Sequence, residues 1–202
     1  YGMTETNATC SSFTGEGYKL KPDAAGNVSP IVDLKTVDSD GNDLPPGETG
    51  EFYLRSPTNV QQYWNLPEAS ESTFIDGWVA TGDVGYVDAD GFVYVVDRIK
   101  DMVIRGGENI YPIEIEGILL THPAVHEVAV FGVPHDTWGE EVAAAVYADE
   151  GVDESELRDH VRSKLAAFKV PEHIKIVNEP LPKNATGKVL KKTVKQDWLG
   201  QS

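Results

Sequence analysis

With a single cysteine, Cys10, the sequence holds no partner for an internal disulfide, and that scarcity fits a reducing compartment. Basic residues are also few: 17 Lys and Arg stand against 33 Asp and Glu, for a net charge of −16 over 202 residues. A field of that sign repels phosphate, which disfavours nucleic acid and anionic membrane as partners. No apolar run approaches the roughly 20 residues of a membrane span, and no charged-then-apolar leader opens the chain. A soluble, cytoplasmic protein is expected. Repeats and low-complexity tracts are missing as well. His122, His126, His135, His160 and His173 have no metal-ligand spacing with the lone cysteine and read as surface or structural residues.

What is present is ordinary in bulk and specific in detail. Hydrophobic residues make up 40% of the chain, enough for a sizeable core in one or two compact units. Residues 15 to 96 read as short strands cut by turns, with apolar runs at 31 to 37, 52 to 54 and 92 to 96 and a brief helix from Pro67. This half is expected to form a small twisted sheet or barrel. The acidic turn from Asp38 has the outline of a calcium loop, but its sixth position is Asp43 where glycine is required, and its twelfth is Thr49 where glutamate is required. Beyond residue 101 helices and strands alternate. Pro112 opens a helix, residues 125 to 133, 141 to 147 and 173 to 177 read as strands, and Asp153 with Glu156 forms an aspartate variant of the capping box. Leu157, Val161 and Leu165 make its apolar stripe, and Leu190, Val194 and Trp198 mark a final amphipathic helix.

Between the two textures lies DRIKDMVIRGGENIYPIEIE, residues 97 to 116. A charged cluster, Asp97, Arg98, Lys100 and Asp101, joins two short apolar runs, and Gly106 and Gly107 follow, where bare backbone lets another chain or ligand approach. On composition alone this cluster reads as a solvated linker. The basic stretch LPKNATGKVLKK, residues 181 to 192, reads alone as a surface helix start.

Taken together, these stretches resemble the adenylate-forming superfamily: acyl- and aryl-CoA synthetases, peptide-synthetase adenylation domains and beetle luciferases. The hinge-like segment is joined, in the expected order, by YGMTE at the start, TGD at Thr81 to Asp83, and LPKNATGKVLKK near the end. The chain also begins at Tyr1, inside a motif and without a methionine. A longer parent is therefore expected, with the phosphate loop and acyl pocket upstream and the isolated chain inactive.

The resemblance implies a two-part fold: residues 1–97 as the small β-barrel-like, β-rich end of an AMP-binding domain, 98–101 as a hinge, and 102–202 as a mobile α+β lid. It implies that Tyr1 packs on adenine, Thr4 bonds the α-phosphate, Glu5 helps hold Mg²⁺, Asp83 accepts from the ribose hydroxyls, and Arg98 contacts ribose or phosphate. Lys188 would bridge carboxylate and α-phosphate, and Lys100 would be the pivot. Gly106 and Gly107 would admit the pantetheine arm of CoA, with Trp138 and Phe168 as further CoA contacts. Val170 stands where some relatives carry a basic residue, which removes a phosphate contact. The implied activity is an AMP-forming acid–thiol ligase, the C-terminal part of a fatty-acid- or aryl-CoA synthetase using ATP, Mg²⁺, CoA and a carboxylic acid. The ending GKVLKK is more like CoA ligases than peptide-synthetase domains. The alternatives are a non-catalytic binding module or an adenylation domain that feeds a carrier protein.

Overall fold

Two periodicities shape the chain, and in the computed structural model each forms the element that suits it. The structure describes residues 1–13 and 15–200, so residues 201 and 202, the end of the second expected domain, lie outside the described residues. Two compact units result, Tyr1–Lys100 and Asp101–Ser202.

In the first unit, β1 (Asp33–Val37), β2 (Gly50–Arg55), β3 (Phe74–Ile75), β4 (Trp78–Val87) and β5 (Val93–Arg98) form a five-stranded sheet among the described residues. Its pairings are antiparallel, with β4 bonded to β2, β3 and β5. The apolar run expected from residue 31 starts its strand later, because the Val32 N–H closes a turn on the Ser29 carbonyl and leaves Ile31 exposed. The helix expected after the second strand is α1 (Pro67–Thr73), with proline in its first turn, where its missing N–H costs nothing. Phe52, Leu54, Val79 and Val93 are fully buried. Cys10 is buried beside Val32 and Leu54, with Tyr1 and Met3 packed against them. The opening motif is thereby tied into this core.

In the second unit, β6 (Val103–Arg105), β7 (Glu108–Ile110), β8 (Val125–His135), β9 (Gly139–Ala148) and β10 (His173–Val177) form another five-stranded sheet among the described residues, in the order β7-β6-β9-β8 with β10 also on β9. β8 and β9 form a long antiparallel hairpin, while β9 and β10 run parallel. The parallel pairing requires a crossover, and α3 (Glu154–Arg162) supplies it. The Asp153 carboxylate accepts the Glu156 N–H, so the cap read from sequence starts this helix.

Alternation along β8 and β9 sends apolar side chains to both faces. Val128, Val130, Val142 and Val146 meet Ile115 and Leu119 of α2 (Pro112–Leu119) and Leu157 and Val161 of α3. Ala129, Phe131, Ala143 and Ala145 meet Leu181 and Val194, the latter on α4 (Lys191–Trp198). Burying a side chain such as Leu157 completely stabilises by about 1.5–3 kcal/mol. A sheet clad on both sides is a firm platform for the loops at its edges. No helix among the described residues is long and apolar enough to cross a membrane.

Candidate functional site

The register of the β4–β5 hairpin sets Asp83 directly opposite Arg98. Asp83 is buried, and its two carboxylate oxygens are shared between two donors. Arg98 Nε donates to Oδ1 at 2.9 Å, and the Tyr1 hydroxyl donates to Oδ2 at 2.7 Å. Thr81 fixes the backbone at Asp83: its Oγ1 accepts the Asp83 N–H at 3.0 Å and donates to the Phe52 carbonyl at 2.9 Å. Arg98 is half-exposed, whereas the Asp83 side chain is only 8% exposed, so the pair runs from the surface to a buried carboxylate.

A second carboxylate, Glu51, approaches from β2 and accepts the Gly82 N–H at 2.9 Å. Burial pushes Glu51 up; the Gly82 N–H opposes the rise and the neighbouring Asp83 charge adds to it. Tyr1 is pushed well above the ordinary phenol range, first by burial and then by its bond to Asp83. The phenol is thus kept as a donor. Its ring lies 5.9 Å from that of Phe52, centroid to centroid.

The rest of the opening motif is held from residues 58 to 63. Thr58 Oγ1 donates to the Thr6 carbonyl at 2.7 Å, the Val60 N–H to the Glu5 carbonyl at 2.9 Å, and the Tyr63 hydroxyl to Glu5 Oε1 at 2.7 Å. These contacts fix one oxygen of Glu5 and leave the carboxylate half-buried, while Thr4 is exposed on a single 3₁₀ turn, Thr4–Thr6. Sequence reasoning passed over Thr58, Tyr63 and Glu51. Each acts across strands or loops; the clustering of polar and aromatic residues in TNVQQYW is a signal for Thr58 and Tyr63, and there is none for Glu51.

Lys188 sits in a hairpin rather than in the helix start suggested by its basic surroundings. Lys183 bridges Val189, and α4 begins only at Lys191. Inside the loop Asn184 Oδ1 accepts three donors: the Thr186 N–H at 3.0 Å, the Thr186 hydroxyl at 2.7 Å and the Lys188 N–H at 2.9 Å. Gly187, with φ of +83°, supplies the left-handed residue this turn requires. Glu127 anchors the base, accepting the Leu181 N–H at 2.9 Å and pairing with Lys183. Burial pushes Glu127 up, but the Lys183 ammonium and the Leu181 N–H outweigh it and hold the carboxyl below its usual range. Lys188 itself is exposed on this fixed turn.

Gly106 and Gly107 form the turn between β6 and β7, with φ of +60° and +89°. A Cβ at Gly106 would lie 2.7 Å from the Trp138 ring, and its N–H donates to the Trp138 carbonyl at 2.9 Å. Only glycine fits there. Trp138 is 44% exposed, whereas Phe168 packs against the core of its unit. Val170 packs there too, so no cation arises from that position. Lys100 is exposed on the 3₁₀ turn Ile99–Asp101. Of the residues singled out from sequence, Tyr1, Asp83 and Arg98 are in direct contact in the first unit. Gly106 and Trp138 are in contact in the second.

The chain is similar to known proteins along nearly its whole length. The family model described as AMP-binding enzyme matches residues 1–64, and that described as AMP-binding enzyme C-terminal domain matches residues 114–188. A fatty acid–[acyl-carrier-protein] ligase, ScoC of Streptomyces coeruleorubidus, is 40% identical over all of this chain and 40% of its own length. The o-succinylbenzoate CoA synthetase MenE of Bacillus subtilis, solved with the acyl-adenylate OSB-AMP, matches with a TM-score of 0.88 and 38% identity over 96% of this chain and 40% of that one. ATP-bound MatB of Rhodopseudomonas palustris matches with a TM-score of 0.89 and 39% identity over 98% of this chain and 40% of that one. MenE has also been solved with ATP and magnesium ion; that structure matches at a TM-score of 0.87 and 38% identity, over 96% of this chain and 40% of its own. The chain spans about 40% of the length of the curated relatives it matches.

Proposed function

The chain belongs to the AMP-binding enzyme family, and from that premise we propose that it serves an ATP-dependent acyl-CoA synthetase, contributing the nucleotide grip and the lysine that completes it. Residues 1–97 are the β-rich end of the nucleotide domain, 98–101 the hinge, and 102–202 the α+β lid. The observation that carries this is the convergence of the Tyr1 phenol and the Arg98 guanidinium on Asp83. A fixed, ionisable double acceptor beside an aromatic ring suits a ribose and its base.

In the first step a substrate carboxylate oxygen attacks the α-phosphorus of ATP, and the bond to pyrophosphate breaks. Two anions must approach, so neutralisation is the main task. Lys188 carries one mobile positive charge to the reacting oxygens, and Thr4 donates to the α-phosphate. The second oxygen of Glu5, not engaged by Tyr63, is a hard donor that would help hold Mg²⁺, and the ion would offset phosphate charge there. In the second step a thiol sulfur attacks the acyl carbon and AMP leaves. Gly106 and Gly107 admit the pantetheine arm beside Trp138, with Phe168 as a further CoA contact. The activity is placed in the cytoplasm, with a carboxylic acid, ATP and CoA as partners and no nucleic acid.

A carrier-protein thiol is the second reading. The likeness to ScoC, a fatty acid–[acyl-carrier-protein] ligase, favours it, as does Val170, which brings no cation for CoA phosphate. The test is pyrophosphate–ATP exchange by the protein carrying this chain, with a panel of fatty, aryl and dicarboxylic acids. Exchange with at least one acid is expected, followed by thioester formation on CoA rather than on a phosphopantetheinyl carrier. Failure to exchange with any acid, with no ATP binding, would leave a non-catalytic module.

The hinge has its own test. Lys100→Pro locks φ near −65° and is expected to lower thioester formation by at least about tenfold while exchange stays within about twofold. Equal loss in both steps would count against residues 98–101 as the pivot.

A further inference from the structure

We propose that His135 and Glu141 are positioning residues that fix the Gly106–Gly107 loop against Trp138, an inference that rests on reading this loop as the one that admits the thiol. His135 ends β8 and faces Gly139 across the hairpin, with residues 136–138 between them. Its Nδ1 accepts two backbone donors of that connection, the Thr137 N–H and the Trp138 N–H, both at 3.1 Å. This is the work an aspartate or asparagine does in an Asx turn, performed by an imidazole. Because Nδ1 accepts, the proton of the neutral ring is on Nε2.

Nε2 is 3.6 Å from Oε2 of Glu141, too far for a direct bond but close enough for charge to orient the ring. Glu141 is buried on β9, and its Oε1 accepts Arg105 Nη2 at 3.1 Å. Arg105 immediately precedes Gly106, and its guanidinium carbon lies 5.2 Å from the centre of the Trp138 ring. The Gly106 N–H then closes the circuit on the Trp138 carbonyl. His173 Nε2 also faces Oε2 of Glu141, at 3.8 Å, from β10. Glu140 flanks the same strand end and accepts the Ile104 N–H at 3.0 Å. The strand leading into the loop and the turn beneath it are therefore gripped by the same few side chains. None of them touches Asp83, Tyr1 or Lys188 in these contacts, so their loss falls on the thiol step.

The test compares His135→Ala, His135→Asn and His135→Gln in the protein carrying this chain. Asparagine Oδ1 occupies the place of Nδ1; glutamine reaches only the place of Nε2. In His135→Ala the amides of Gly106 and Trp138 are expected to exchange with deuterium about tenfold faster. The KM for CoA is expected to rise by about tenfold with pyrophosphate exchange within about twofold. His135→Asn is expected to restore both, and His135→Gln neither. Glu141→Gln, which keeps the shape and removes the charge, is expected to raise the KM for CoA and to speed exchange of the Trp138 amide, less than His135→Ala does.

Asparagine behaving like alanine at the Gly106 amide would overturn the proposal, as would pyrophosphate exchange falling in step with thioester formation. An unsubstituted protein that forms no thioester would instead overturn the proposed function. Protection of the Gly106 amide in the Ala and Asn variants would then decide the positioning role alone.

Discussion

Lys188→Ala is expected to lower pyrophosphate–ATP exchange by about 10²–10³-fold, the loss typical when one preorganised charge donor is removed from a reacting centre. The local geometry makes the loss chemical rather than structural. The turn around Lys188 is built from its backbone: its N–H reaches Asn184 Oδ1 and its carbonyl accepts the Asn184 N–H at 2.9 Å. Alanine keeps both bonds. The exposed ammonium has little packing to lose, so the unfolding midpoint should move little. Lys188→Arg keeps the charge but presents a broad planar fork where a compact ammonium is needed, and partial activity is expected. Exchange within twofold of the unsubstituted protein for Lys188→Ala would remove Lys188 from the reaction.

That prediction uses a residue legible from sequence and a scaffold that was not. The turn signals Asn184 and Gly187 are visible in KNATGK, yet the run of lysines around them reads as a helix start. The deciding contacts are to Glu127, more than 50 residues earlier on β8, which the local stretch cannot reveal. By contrast, elements set by period and capping were readable. Val128, Val130 and Phe131 alternate as a strand must, and Asp153 with Glu156 starts α3 where the cap pattern put it. β8 runs two residues past the expected end at Val133 because pairing with β9 continues through Pro134 and His135.

The histidines show the same limit. Their spacing argued against metal and for structural work, and His122 is buried with its ring 3.2 Å from Glu156. Which of them holds a turn was hidden in the hairpin register. Glu51 is the clearest omission. Nothing in GEFYLR marks it, because its carboxylate matters only once β2 and β4 are paired and the Gly82 N–H points at it.

Asp83→Ala is the second large effect expected, and it separates nucleotide grip from folding. Each hydrogen bond from a ribose hydroxyl to a charged acceptor contributes about 1.5–3 kcal/mol, and about 1.4 kcal/mol corresponds to a factor of ten, so losing two raises the KM for ATP by at least about 10²-fold. Removal also leaves Arg98 and the Tyr1 hydroxyl without their shared acceptor. Arg98 is half-exposed and can turn to water, whereas Tyr1 is more enclosed and loses more. Asp83→Asn keeps volume and one acceptor oxygen but sets an amide beside a guanidinium or a phenol, and an intermediate KM is expected.

Tyr1→Phe removes one donor and retains the carboxylate, so its effect on ATP should be smaller than that of Asp83→Ala. In the double variant the Tyr1 effect should largely vanish, because its partner is already gone. Steady-state kinetics in ATP with a saturating acid, alongside circular dichroism to confirm folding, provides the check. If Asp83→Ala lowers kcat and leaves the KM for ATP unchanged, the carboxylate supports the hairpin and does not hold the sugar. The convergence of Tyr1 and Arg98 would then be a strand-pairing feature of β4 and β5, and the nucleotide would have to be gripped elsewhere.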